Sequence, residues 1–122
     1  MPTEPQPLTL SEAARRAAEA CDPEDANDAV GDLLRRLEDR DEPIAGLAGL
    51  DELLAEIKGA VDPQDEDPAI VMMVAVITHL AHRRDEVDTD DTRLLQQAAR
   101  DEFDGHPPEH VRAWLEARGV EL

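Results

Sequence analysis

The sequence predicts an all-α, single-domain bundle of five or six helices gathered around a central apolar helix at about residues 68–84. Three observations carry this expectation. Apolar residues recur at steps of three and four in several segments, the period of one helix face, and no segment alternates apolar and polar as a half-buried strand does. Signals for helix starts, either Asp-Pro pairs or a capping box, precede those segments. The longest apolar run, AIVMMVAVI at Ala69–Ile77, is far short of the about 20 residues needed to cross a bilayer. It reads as a core helix that neighbours surround.

Taken in order, residues 1–8 form a Pro-rich arm, because Pro2, Pro5 and Pro7 prevent a continuous helix. Residues 9–122 form the helical domain. Thr9-Leu10-Ser11-Glu12 has capping-box spacing and starts a first helix that runs to about Cys21. Its Ala13, Ala14, Ala17, Ala18 and Cys21 make a face of small residues suited to close packing. Asp22-Pro23 is read as the start of a second helix, with Asp as cap and Pro in the first turn. Ala26, Ala29, Val30, Leu33, Leu34 and Leu37 form its apolar stripe.

A third helix is expected from Asp41-Glu42-Pro43, with Ile44, Leu47, Leu50, Leu53, Leu54, Ile57 and Val61 inward. Gly46 and Gly49 weaken its first turns by roughly 1 kcal/mol each relative to Ala, so one helix with a loose start is expected. Asp67-Pro68 opens the central helix, and Arg83 and Arg84 complement its dipole at the far end. Asp88 or Thr89 caps a fifth helix bearing Leu94, Leu95, Ala98, Ala99 and Phe103. Pro107 or Pro108 starts a sixth, bearing Val111, Trp114 and Leu115. Gly119 is placed for a left-handed cap, with Val120 folding back on Leu115. The Asp-Pro pairs are read as recurring helix starts, not as an internal repeat.

The chain carries 30 acidic and 12 basic residues among 122, for a formal charge of -18. Binding to nucleic acid requires neutralisation of phosphates by Lys and Arg, and this field opposes it. Anionic lipid surfaces are disfavoured for the same reason. Basic protein partners are the natural complement. The basic residues are eleven Arg and one Lys, and the overall balance resembles that of proteins from salt-adapted or GC-rich microbes. The N-terminus lacks the basic start and apolar run of a signal peptide, and Cys21 is a single cysteine, so the expected compartment is the cytoplasm.

Candidate chemistry is sparse. His79 and His82 lie three apart on the central helix, with Glu86 four further on, and together supply part of a metal site. A catalytic metal needs at least three protein ligands. His106-Pro107-Pro108-Glu109-His110 has the residue types of a zinc-protease motif in the wrong order. The acidic connection from Asp88 fails the EF-hand pattern, which requires Gly at the sixth position, where Arg93 stands. Cys21 has no base near it in sequence.

The sequence therefore points first to a non-enzymatic acidic helical protein, with no cofactor, that binds another protein or a second copy of itself. Ala13, Ala17, Val30, Leu34 and Leu37 are the expected interaction patch. Two alternatives stand beside it. One is a mimic of nucleic acid that occupies the basic groove of a DNA- or RNA-binding protein. The other is a metal-dependent enzyme using His79 and His82 with Glu86. The charge itself makes a prediction. Repulsion among the carboxylates opposes folding, so the melting temperature rises from low salt to about 1 M, where the Debye length falls to about 3 Å. A melting temperature indifferent to salt would mean that the charges already compensate one another.

Overall fold

A computed structural model describes residues 8–64 and 66–122. The predicted arm therefore lies outside the described residues except for Leu8, which is buried in the core. Six helices form among the described residues: α1 (Leu10–Cys21), α2 (Asp28–Leu37), α3 (Leu50–Val61), α4 (Pro68–His82), α5 (Asp91–Phe103) and α6 (Glu109–Ala117). The fold is the expected helical bundle around α4. Asp67 caps α4, its carboxylate accepting from Ala69 N–H, and Pro68 occupies the first turn. Ile70, Met73, Val76, Ile77 and Leu80 have no exposed surface. Five helices share the task of covering them, with α1 and α5 packed most closely.

The close approach of α1 follows from its composition. Ala13, Ala14, Ala17 and Cys21 are wholly buried. Side chains this short let the α1 backbone sit near α4, so small residues substitute for bulk at the contact. The Thr9–Glu12 capping box forms as the spacing predicts. Arg16 emerges from the side of α1 and holds the connection before α5. Its guanidinium donates to the carbonyls of Val87 and Thr89, both at 2.7 Å, and pairs with Asp91 at 2.8 Å.

Four boundaries differ from the sequence expectation, each for a local reason. The cap of α5 is Asp90, whose carboxylate accepts from Arg93 N–H, and not Asp88 or Thr89. Asp22-Pro23 does not begin α2. Asp22 instead ends α1, and its two carboxylate oxygens accept from the backbone N–H groups of Ala26 and Asn27. Asn27 is the true cap of α2. The third helix does not begin near Asp41. Gly46 and Gly49 take left-handed backbone, with φ of 72° and 76°, so they break the segment and α3 starts at Leu50. Ile44 is nevertheless buried, because its N–H donates to Leu8 O and the neighbouring Thr9 and Pro43 form a bridge. The central helix ends at His82, and Arg84–Glu86 form a separate 3₁₀ turn. At the other end of the chain the Gly119 cap forms as expected, with φ of 78° and Val120 N–H donating to Leu115 O.

The expectation of no internal repeat is also corrected. Helices α1, α3 and α5 begin at Leu10, Leu50 and Asp91, and α2, α4 and α6 at Asp28, Pro68 and Glu109, a period of 40 or 41 residues. The first two hairpins share one connection. Asp22 and Asp62 both end a helix with similar backbone angles (φ -144°, ψ 65° and φ -136°, ψ 69°). Each folds its carboxylate back on the N–H groups four and five residues ahead. The two connections touch, where Asn27 Nδ2 donates to Asp67 Oδ2 at 3.2 Å. The repeated units do not stack in a line, as those of a solenoid do. They close around α4.

Deleting bulk from α4 tests this arrangement. Ile77→Ala removes a fully buried side chain and should cost about 2–5 kcal/mol, a large part of the roughly 5–15 kcal/mol of a typical domain. Urea unfolding followed by circular dichroism measures it. A loss below about 1 kcal/mol would place Ile77 outside a packed core.

A groove along the central helix

Helix α4 is not covered evenly. Val71, Val74, Thr78 and Ala81 recur at steps of three and four, so they share one face. All four are only partly buried, whereas their neighbours Met72, Met73, Ile77 and Leu80 are not exposed at all. This stripe floors a groove with two lobes. The first, of about 460 Å³, has Leu54, Ala55 and Lys58 of α3 on one side and Glu102, Phe103 and His110 on the other. The second, of about 330 Å³, is enclosed by Ile44, Leu47, Leu50 and Glu52, with Ala81 and His82 at its end. Asp51 and Thr78 belong to both lobes and mark their junction. The Thr78 hydroxyl donates to Val74 O within its own helix, which leaves the floor mainly apolar.

The charged rim is unbalanced. Among the described residues neither Asp51 nor Glu102 has an ion-pair partner, while Lys58 has an interaction of its own. Partial burial pushes the Glu102 carboxyl above the usual range, and the Asp51 charge nearby adds to the rise. A larger concavity, of about 510 Å³, lies over the C-terminal segment between Gly105 and Leu122. It does not open onto α4. In the groove, by contrast, the central helix meets the surface beside carboxylates without ion-pair partners among the described residues.

Of the groups expected to carry chemistry, His82 and His110 line the groove, and the others lie elsewhere. His79 is buried, and its Nδ1 lies 2.5 Å from Asp101 Oδ2, tying α4 to α5. With a carboxylate as acceptor the proton sits on Nδ1. Nε2 is buried without a hydrogen-bond partner among the described residues. His82 is exposed. Because α4 stops at His82, Glu86 does not continue its face. It lies instead beside Arg83 and accepts from the Thr89 hydroxyl at 3.1 Å. The trio His79, His82 and Glu86 is therefore not brought together, and among the described residues no group of three or more His, Cys, Asp or Glu could hold a metal ion. Cys21 is wholly buried, and loss of solvation pushes its thiol up to about 12, so it is no nucleophile at neutral pH.

The residues expected to form an interaction patch are not a free surface. Ala13, Ala17, Val30 and Leu37 are buried inside the chain, and Leu34 is half-buried against the same core. Their apolar surface is consumed by the fold. The groove residues were visible in the sequence only as ordinary members of helical stripes. The signal for them is the heavier side chains of α3 beside a helix that is apolar all round. Compared with protein-family models, curated proteins and solved structures, the chain matches none.

The rise at Glu102 has a definite sign. A carboxyl raised in the folded state costs stability once it is ionised. That cost is absent below the unfolded value of about 4.3 and appears as pH climbs through the folded value. Glu102→Gln should therefore melt higher than the parent chain at pH 7, and the advantage should vanish near pH 3.5. Thermal melts of both proteins at the two pH values decide it. An equal difference at both would mean that the ionised Glu102 carboxylate carries no such cost.

Proposed function

We propose that this protein is a non-enzymatic acidic interaction protein of the cytoplasm, which binds a cationic partner protein through the groove along α4. The observation that carries this reading is the half-covered stripe Val71–Val74–Thr78–Ala81, which opens part of the core helix beside Asp51 and Glu102. An apolar floor with a charged rim is the usual anatomy of a protein-binding surface. The remaining surface supports a charge-steered encounter. Leu122 is the one exposed large hydrophobic residue among those described, and carboxylates stand on every helix except α4 and on most connections.

That even spread also fits adaptation of the whole surface to salt. It gives little support to nucleic-acid mimicry, which needs carboxylates in rows of phosphate-like spacing. Arginines interrupt the acids on α2, where Arg35 and Arg36 both reach Asp32. Self-association is the weaker form of the reading. A second copy brings another -18 charge, and four of the five residues first expected to meet it are buried.

Site-specific photo-cross-linking tests the proposal. A photoreactive side chain replaces exposed Ala55, in the wall of the first lobe, or exposed Arg36, on α2. In extract of the native host, position 55 should yield a discrete adduct with a basic protein that added salt weakens. Adducts from position 36 but not from position 55 would move the interface off the groove.

A further inference from the structure

Resting on that reading, we propose that the occupant of the groove is a cationic amphipathic helix of the partner, seated with one Arg or Lys at Asp51 and Glu102 and one apolar side chain in each lobe. The two lobes set the spacing. Along α4 the first lobe uses Val71, Val74 and Thr78, and the second uses Thr78, Ala81 and His82. At 1.5 Å per residue their centres lie about 10 Å apart. Side chains seven apart on a helix are also about 10 Å apart and share a face, with the fourth or fifth residue of that span between them. The pattern that fits is apolar at i, cationic at i+3 or i+4, and apolar at i+7.

The sign of the central contact follows from the junction. Asp51 belongs to both lobes, Glu102 faces it from the end of α5, and Glu52 adds a third carboxylate along the second lobe. Lys58 stands two turns beyond Asp51 on α3, toward the far end of the first lobe, and is already engaged. Burial is the main cause of the rise at the Glu102 carboxyl, and a cation at the junction offsets the smaller part that comes from the Asp51 charge. Helix-in-groove recognition of this kind reads anchors at i, i+3 or i+4, and i+7.

The test uses the full chain and two synthetic probes. One is an alanine-based helical peptide of about 15 residues with leucines seven apart and an arginine between them. The other has the same composition with the leucines on opposite faces. Amide shifts in nuclear magnetic resonance spectra report where each peptide binds, and titration gives its affinity. The patterned peptide should move amides of Asp51, Ala55, Val74 and Thr78 and bind about tenfold tighter than its rearranged partner. The double substitution Asp51→Asn with Glu102→Gln, both at exposed positions, should weaken the patterned peptide by a similar factor with the spectrum otherwise retained. Equal binding of the two peptides, indifference to the double substitution, or no movement of groove amides would each overturn the proposal. Cross-linking from position 55 reports independently on whether a native partner uses this face, so the groove reading can survive the loss of the helical pattern.

Discussion

The covering of α4 is the constraint on which the rest of the structure depends. A helix apolar on nearly every side cannot meet water along most of its length without exposing core residues. It must therefore be wrapped, and a chain of 122 residues has few elements with which to do so. The alanine face of α1 answers this by letting one helix approach closely. Leu94, Leu95, Ala98 and Ala99 of α5 answer it from the other side, and all four are buried. Arg16 and the His79–Asp101 pair then fix the wrapping helices to the core and to one another. These polar contacts are partly buried and involve charged groups, the class in which a hydrogen bond is stronger than between neutral partners.

The acidity of the chain is used locally as well as globally. Asp22, Asp62, Asp67 and Asp90 each accept from backbone N–H groups at helix ends or connections. As N-caps, Asp67 and Asp90 each contribute about 1 kcal/mol. Part of the net charge is thus working inside the fold as backbone acceptors, although the carboxylates still repel one another. That divides the acids into two populations. Those at caps would be retained in a neutral surrounding. The exposed ones on helix faces, such as Glu19, Glu56 and Glu116, answer to solvent.

The architecture was legible because helical period and capping are local signals. Asp67-Pro68 and Thr9–Glu12 were read correctly, since each places its acceptor and its helix within a few residues. Asp22-Pro23 was misread because the same dipeptide serves two purposes. Asp followed by Pro can open a helix, yet it can also close one and fold its carboxylate forward onto the next. Only the later Asn27 and Asp67, as competing caps, distinguish the cases. The repeat was hidden for a related reason. Its register lies in helix starts and in the Asp22 and Asp62 connections, while the inward residues of successive units differ in size. The candidate metal trio failed on a helix end that no proline or glycine marks. The groove was signalled only by the heavier side chains of α3 beside an all-round apolar helix, because a cavity is set by how far apart two helices stand, and that distance is a property of both partners.

The repeat nevertheless explains where the groove falls. In the common register, Ala13, Ala14, Ala17 and Ala18 of α1 correspond to Leu53, Leu54, Ile57 and Lys58 of α3, and to Leu94, Leu95, Ala98 and Ala99 of α5. Positions that hold alanine throughout α1 hold branched or charged side chains throughout α3. A helix carrying Leu, Ile and Lys there cannot approach α4 as closely as one carrying Ala, since each added side chain must be accommodated at packing density. Accordingly Leu54 alone of the four α3 residues is buried, while all eight counterparts in α1 and α5 are. The non-helical stretch ahead of Leu50, with Gly46 and Gly49 in left-handed backbone, lines the groove beside Ala81 and His82. The open face of the core helix is therefore the joint product of one heavy helix and the irregular segment before it. It is held open by side chains too large to close it.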